Sequence, residues 1–264
     1  RDLLMMAHGL ADTVIGHHAR RLGGRARLIT IDLDPTDDPT HGNQQLSFFN
    51  GHYDSHCYLP VIGTLTFDDE IESYVFTAVL RAGNAHATLG AEGLLTRAIS
   101  KMRGEFGDDV RLRVRLDGGF ATPRLLGYLE AMGVEYLVGF PGNSRLDKRI
   151  RRLMGRVRML SKASGRTETL FGETRYATGS WKRKRRIVMK AEVTRLEGRE
   201  ARDNPRYVVT NMTDAPEAVY DVYRMRGEME NRIKELHHGL DMDRTSCTSF
   251  RANQLRVLMT TAAF

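Results

Sequence analysis

Ala26-Arg27-Leu28-Ile29-Thr30-Ile31-Asp32-Leu33-Asp34 is the stretch on which the fold turns. Its apolar and β-branched residues at 26–33 favour a strand, and Asp34 closes it where a chain leaves a sheet. A second stretch at 110–116, Val-Arg-Leu-Arg-Val-Arg-Leu, alternates with period two and closes on Asp117, followed by Gly118-Gly119-Phe120. Small residues there let a metal or phosphate come close to the backbone. Outward from these two stretches, an amphipathic helix leads the chain (Leu3, Leu4, Ala7, Leu10, Val14), and strand-like segments lie at 26–33, 57–67 and 73–80. Asn50-Gly51 and Asp68-Asp69 supply turns between them. A helix (Leu94, Leu95, Ala98, Ile99, Met102), the strand at 110–116, a short helix with Pro123 in its first turn and a strand at 134–140 follow. The order is β-β-β-α-β-α-β. A fourth strand returning beside the first by a right-handed crossover runs parallel to it, which makes Asp34 and Asp117 neighbours in space.

The texture changes over 142–205. A basic helix at 147–162 is followed by Thr-, Arg- and Tyr-rich strand-like pieces at 168–176 and 186–192 and a polar turn at 197–205. This segment reads as an insertion in a core whose first part spans 1–141. The remainder, 206–264, supplies a strand at 207–210, a helix at 216–238 carrying Glu230, and a helix at 249–264. The chain opens and stops within amphipathic patterns, so we expect it to be a piece of a longer protein.

Forty Lys and Arg stand against 33 Asp and Glu, a net charge of +7 that suits a polyanionic partner, with nucleic acid the leading candidate. Cys57 and Cys247 are single and distant, which points away from a disulfide framework or a zinc cluster. No run reaches the ~18 apolar residues of a membrane span, and there is no signal-peptide pattern, phosphate-loop lysine motif or nucleotide fingerprint. A reducing cytosol fits this usage.

The carboxylates have bland alternatives. The segment from Asp32 to Asp38 holds four Asp, and Asp and Pro are common turn residues. Strand alternation puts Asp32 and Asp34 on one face, so either can be a ligand; Asp34 is preferred, then Asp32, then Asp37. Tyr223, Arg226, Glu230 and His237 share one face of the expected helix. Arg226 and Glu230 are either an i,i+4 ion pair, or a phosphate-binding fork beside a metal ligand, with Tyr223 as a second phosphate contact. Lys148, Arg149, Arg151, Arg152, Arg156 and Arg158 lie largely opposite the stripe Ile150, Leu153, Met154, Val157: a solvated face, or a face for phosphates. In Trp181-Lys182-Arg183-Lys184-Arg185-Arg186, five successive cations repel one another and favour a polyanion.

Strand-Asp34, strand-Asp117-Gly-Gly-Phe and Tyr223-x-x-Arg226-x-x-x-Glu230 together resemble the DDE transposases of bacterial insertion sequences. Supporting strings are Thr36-Asp37-Asp38-Pro39-Thr40-His41-Gly42, Leu46-Ser47-Phe48-Phe49-Asn50-Gly51 and Glu230-Asn231-Arg232-Ile233-Lys234-Glu235-Leu236. The resemblance covers nearly the whole chain. It implies an α/β fold of the ribonuclease-H-like, retroviral-integrase-like type: a mixed five-stranded sheet with flanking helices, interrupted by a basic helical and β-rich insertion. It implies two Mg²⁺ or Mn²⁺ ions on Asp34, Asp117 and Glu230, phosphodiester hydrolysis and strand transfer, a double-stranded DNA partner (terminal inverted repeats and target), a homodimeric synaptic complex and a bacterial cytoplasmic, nucleoid-associated location. Trp181 would stack on a flipped base, with a core position as its alternative. A Lys usual in that branch is replaced here by His237, and Lys234, one turn away, is the substitute phosphate contact. A ribonuclease-H-like nuclease without strand transfer, and a non-catalytic DNA-binding remnant, are the competing readings.

Overall fold

The computed structural model describes residues 2–264. The first elements are α1 (Asp2–Arg21), β1 (Leu28–Pro35), β2 (Asp38–Pro39), β3 (Phe48–Asn50), β4 (Ser55–Tyr58), β5 (Val61–Phe67), β6 (Tyr74–Val79), α2 (Ala91–Phe106) and β7 (Arg111–Leu116). A 3-10 turn at Gly118–Phe120 leads to α3 (Pro123–Ala131), β8 (Glu135–Phe140), α4 (Ser144–Ser164), β9 (Glu168–Tyr176) and β10 (Arg185–Thr194). The chain finishes with β11 (Arg202–Asp203), β12 (Arg206–Thr210), α5 (Pro216–Arg224), α6 (Gly227–Leu240) and α7 (Phe250–Ala263). The residues fall into two units, one built from the chain up to Arg115 together with Arg226–Phe264, the other from Leu116–Met225. Both combine helices with sheet.

In the first unit the strand order is β7-β1-β5-β6. β1, β5 and β6 form the antiparallel meander expected from the sequence, with Asp32 opposite Thr64 and Asp34 opposite Ile62. The contacts Arg111 N to Arg27 O and Arg115 to Asp32 advance together along both chains, so β7 runs parallel to β1. The segment 57–67, read as one strand, is two: Pro60 cannot donate to a ladder, and the chain leaves β4 before it and enters β5 after it. β4 instead joins β2 and β3 in a separate three-stranded sheet. α1 and α7 pack on β6. Tyr58, Ile62, Val75, Ala78 and Val257 make a core that also takes Met229 and Leu236 of α6; each of its Ile, Val, Leu and Met side chains contributes about 1.5–3 kcal/mol by burial.

In the second unit the order is β11-β10-β12-β8, with β9 also paired to β10. α4 packs on β9 and β10. The β-rich segment therefore shares one antiparallel sheet with β8 and β12, and the basic helix packs on it. Leu137, Val188, Val208, Met212 and Val219 are its core, and Tyr220, Val222 and Tyr223 of α5 lie against them.

The single helix expected at 216–238 is a pair, α5 and α6, interrupted at Met225–Arg226. The turn there tightens, with Met229 N donating to Arg226 O three residues back, and Gly227, a weak helix former, opens the second helix. Tyr223 thus belongs to α5, while Glu230 and His237 belong to α6. The expectation of one continuous helix face carrying all four residues does not hold.

Candidate active site

Asp32 and Asp34 follow one another on the same face of β1, and the structure gives them different partners. Asp32 is almost fully buried and both carboxylate oxygens are taken by Arg115, Nε at 2.8 Å and Nη2 at 2.6 Å. Burial pushes its carboxyl above the ordinary range, against the pull of Arg115 and then of Arg226. Asp34, one step past this pair, accepts from Arg226 Nη1 at 2.8 Å, with 13% of its side chain exposed. Asp37 is half-buried, and Asp38 is buried with both carboxylate oxygens on Thr245 Oγ1. Of the four, Asp34 joins strand-end placement to a partner in the Tyr-x2-Arg-x3-Glu segment. The i,i+4 Arg226–Glu230 pair weighed from the sequence is replaced by this one.

Arg226 reaches Asp34 because α6 is fixed on the first unit's core. Met229 and Leu236 are buried in it, which leaves Glu230, next to Met229, on the exposed side of the helix. Lys234 is exposed one turn later. His237 is half-buried, and its Nε2 is enclosed without a hydrogen-bond partner. Burial lowers its pKa, against the raising effect of Asp243 and Asp37. The enclosure of Nε2 speaks against a phosphate contact at His237, while Lys234 presents an exposed cation on the same helix.

Asp117 opens the second unit. Its carboxylate accepts from Gly119 N at 3.0 Å and caps the 3-10 turn. Gly139, in the middle of β8, comes so near this turn that a β-carbon built on it would stand 3.0 Å from Gly118 N and 2.6 Å from the Tyr223 hydroxyl. Within this unit Asp117, its glycine turn and Tyr223 are thereby brought together. Gly139 was not singled out from the sequence, although a lone glycine inside a strand pattern is a sign of close approach. Arg115 was missed for a plainer reason: nothing in an alternating strand says which arginine is buried against a carboxylate.

The basic residues divide. Arg152 is exposed on α4, whose opposite face buries Leu146, Ile150, Met154 and Val157. Lys182, Arg183 and Lys184 are exposed. Arg183 and Arg185 both engage Glu130, and Arg186 engages Glu173 and the carbonyls of Met212 and Asp214. Internal carboxylates thus relieve much of the repulsion that the run suggested. Trp181 is buried, edge-on to Phe140 and Tyr176 and under the Arg185 guanidinium at 5.0 Å. That placement corrects the base-stacking expectation: the ring's surface is spent on packing.

Among the described residues no group of three or more His, Cys, Asp or Glu is gathered so as to hold a metal ion, and no helix is long and apolar enough to cross a membrane. The chain matches the family described as transposase DDE domain group 1 over residues 2–264 and belongs to that family. Comparison with curated proteins gives no match.

Proposed function

We propose that this chain is the catalytic domain of a DNA transposase that cuts phosphodiesters at the ends of an insertion sequence and joins the freed 3′-hydroxyl to another phosphodiester. The observation that carries the reading is the Arg226–Asp34 ion pair. It joins the arginine of the Tyr-x2-Arg-x3-Glu motif to the carboxylate at the end of β1 although the partners are 192 positions apart.

Asp34, Asp117 and Glu230 are the carboxylates we assign to two divalent ions, Mg²⁺ or Mn²⁺. The fit rests on donor chemistry, since carboxylate oxygens suit hard cations, and on family membership. When bound, such ions polarise phosphoryl oxygens and lower the pKa of an attacking water. Arg226 offers a planar fork of donors that matches a phosphate. Tyr223 donates its hydroxyl to a phosphate oxygen, and Lys234 adds charge on α6. Arg152, Lys182, Arg183 and Lys184 neutralise the backbone of double-stranded DNA, and two copies hold two element ends. A ribonuclease-H-like core and a bacterial cytoplasmic location belong to the same reading.

The test is nicking and joining of DNA that carries the ends of the element, with Mg²⁺ or Mn²⁺ supplied. Asp34→Asn, Asp117→Asn and Glu230→Gln are each expected to cut the rate by about a hundredfold or more, the scale on which loss of one stabilising group lowers kcat. Wild-type protein that neither nicks nor joins, or variants that match it, would refute the assignment. Nicking without joined product would favour a simple nuclease.

A further inference from the structure

Asp34, a carboxylate assigned to a divalent ion, is already bound to a cation of the protein's own. Arg226 Nη1 stands 2.8 Å from Asp34 Oδ2, and the two side chains are 16% and 13% exposed. A pair so shielded from solvent is screened by salt much less than a surface pair. Asp32, the neighbouring carboxylate on the same face of β1, has both oxygens on Arg115, which leaves Asp34 as the acceptor for Arg226.

Two cations do not share Asp34 on equal terms. A guanidinium that donates to a carboxylate oxygen takes up a lone pair that a metal ion would use, and its charge repels a divalent ion held on the same group. Arg226 also has the means to leave. It immediately precedes α6, and that helix is fixed through Met229 and Leu236 in the first unit's core. The helix can stay in place while the long side chain of Arg226 turns to another acceptor. Carboxylate and phosphate are alternative acceptors for the same guanidinium fork.

We propose that the Arg226–Asp34 pair is a latch on metal loading: Arg226 keeps a divalent ion off Asp34 until a phosphate oxygen of the substrate accepts the guanidinium. The ion and the phosphate rest on the transposase reading; the coupling between them is what the pair adds. Linkage makes the coupling reciprocal. A phosphate on Arg226 strengthens ion binding at Asp34, and phosphate binding gains by the same factor when the ion is present. Protein away from its substrate is then poorly loaded with metal, which restricts cutting to DNA that is already seated.

The experiment measures the Mn²⁺ affinity of the whole chain by electron paramagnetic resonance of the free ion, first without DNA. Arg226→Gln should bind Mn²⁺ about tenfold more tightly than the wild type, within the range usual for coupled sites. Adding Asp34→Asn to that variant should remove the gain. Arg256→Gln takes the same charge from an exposed position on α7 and should leave the affinity unchanged. The wild type alone supplies a second reading that does not depend on a variant folding. Its Mn²⁺ affinity, with binding to the duplex itself subtracted, should rise about tenfold when a duplex of element ends is bound. A folded Arg226→Gln that binds Mn²⁺ no more tightly than the wild type overturns the latch, and so does an equal gain in Arg256→Gln. A bound duplex that leaves the wild-type affinity unchanged overturns it as well. If the duplex does not bind or is not nicked, the transposase reading fails, and the comparison of variants without DNA still decides the latch. Normal nicking with no gain in Arg226→Gln removes the latch and leaves the transposase reading in place.

Discussion

Asp32 and Asp34 differ by two positions in sequence and by their partners in the fold. Asp32 and Arg115 are a buried pair, with side chains 2% and 6% exposed. Removing one charge strands the other in a medium that solvates it poorly, so Asp32→Asn is expected to cost about 3–5 kcal/mol. Asp34→Asn weakens the ion pair with Arg226 nearer the surface and is expected to cost less, about 1.5–3 kcal/mol. Denaturant unfolding of both variants checks the order, and the reverse order would make Asp34 the structural residue. Gly139 is a second residue-scale case. An alanine there presses on the Tyr223 hydroxyl and on Gly118 N, an overpacking expected to cost about 1–3 kcal/mol. Adding Tyr223→Phe removes the hydroxyl from the clash, so thermal melts should show the double variant recovering part of the loss.

At the scale of elements, α4 is the clearest product of its sequence. Asn143 Oδ1 accepts from Arg145 N and Leu146 N, both at 3.1 Å, and Gly165 ends the helix at φ 69°, a left-handed cap that glycine takes without strain. Asn143→Ala is expected to lower stability by about 1 kcal/mol, read as a fall in the thermal midpoint; no change would mean that the cap is redundant with helix packing. The bounds expected for α4 fall inside it by three residues at the start and two at the end, because the caps Asn143 and Gly165 carry the helix past its periodic apolar stripe. α5 and α6 show the opposite case. Helix-forming residues run through 216–238 almost without a break, and local propensity has no term for a partner 192 positions away. Val219 is fixed in one core and Met229 in another, and the residues between them follow those anchors.

For the whole molecule, charge and pH are the levers. His18 is packed between Phe67 and Tyr74, with Nδ1 accepting from Arg21 Nε. Burial and then the Arg21 charge lower its pKa to about 4. The folded state keeps it neutral where the unfolded chain binds a proton, so its contribution is full above about pH 6.5 and is lost as pH falls to about 4. Asp38 acts the other way. Burial raises its pKa to about 7, against the hydrogen bond from Thr245. The folded state retains a proton that the unfolded chain releases, so this contribution is full at acid pH and is lost as pH rises to about 7. Between about pH 4 and 6.5 the two trends oppose, and the urea midpoint of the wild type should change little. His18→Phe should leave a midpoint that falls as pH rises, and Asp38→Asn one that rises; two variants with the same profile would remove this account.

The sequence by itself determined the strands that end at Asp34 and Asp117, the meander of β1, β5 and β6, the amphipathic α4 and the family, because period, turn residues and motif spacing are local and survive without knowledge of the fold. It left open which carboxylate of β1 is committed to a buried arginine, whether Arg226 pairs with Glu230 or with Asp34, and whether Trp181 and His237 face solvent. Only the tertiary structure decided these. Each depends on desolvation and on a partner brought in from a distant part of the chain, and the free energy of a buried charge or ring is set by its neighbours in space and not by its neighbours in sequence.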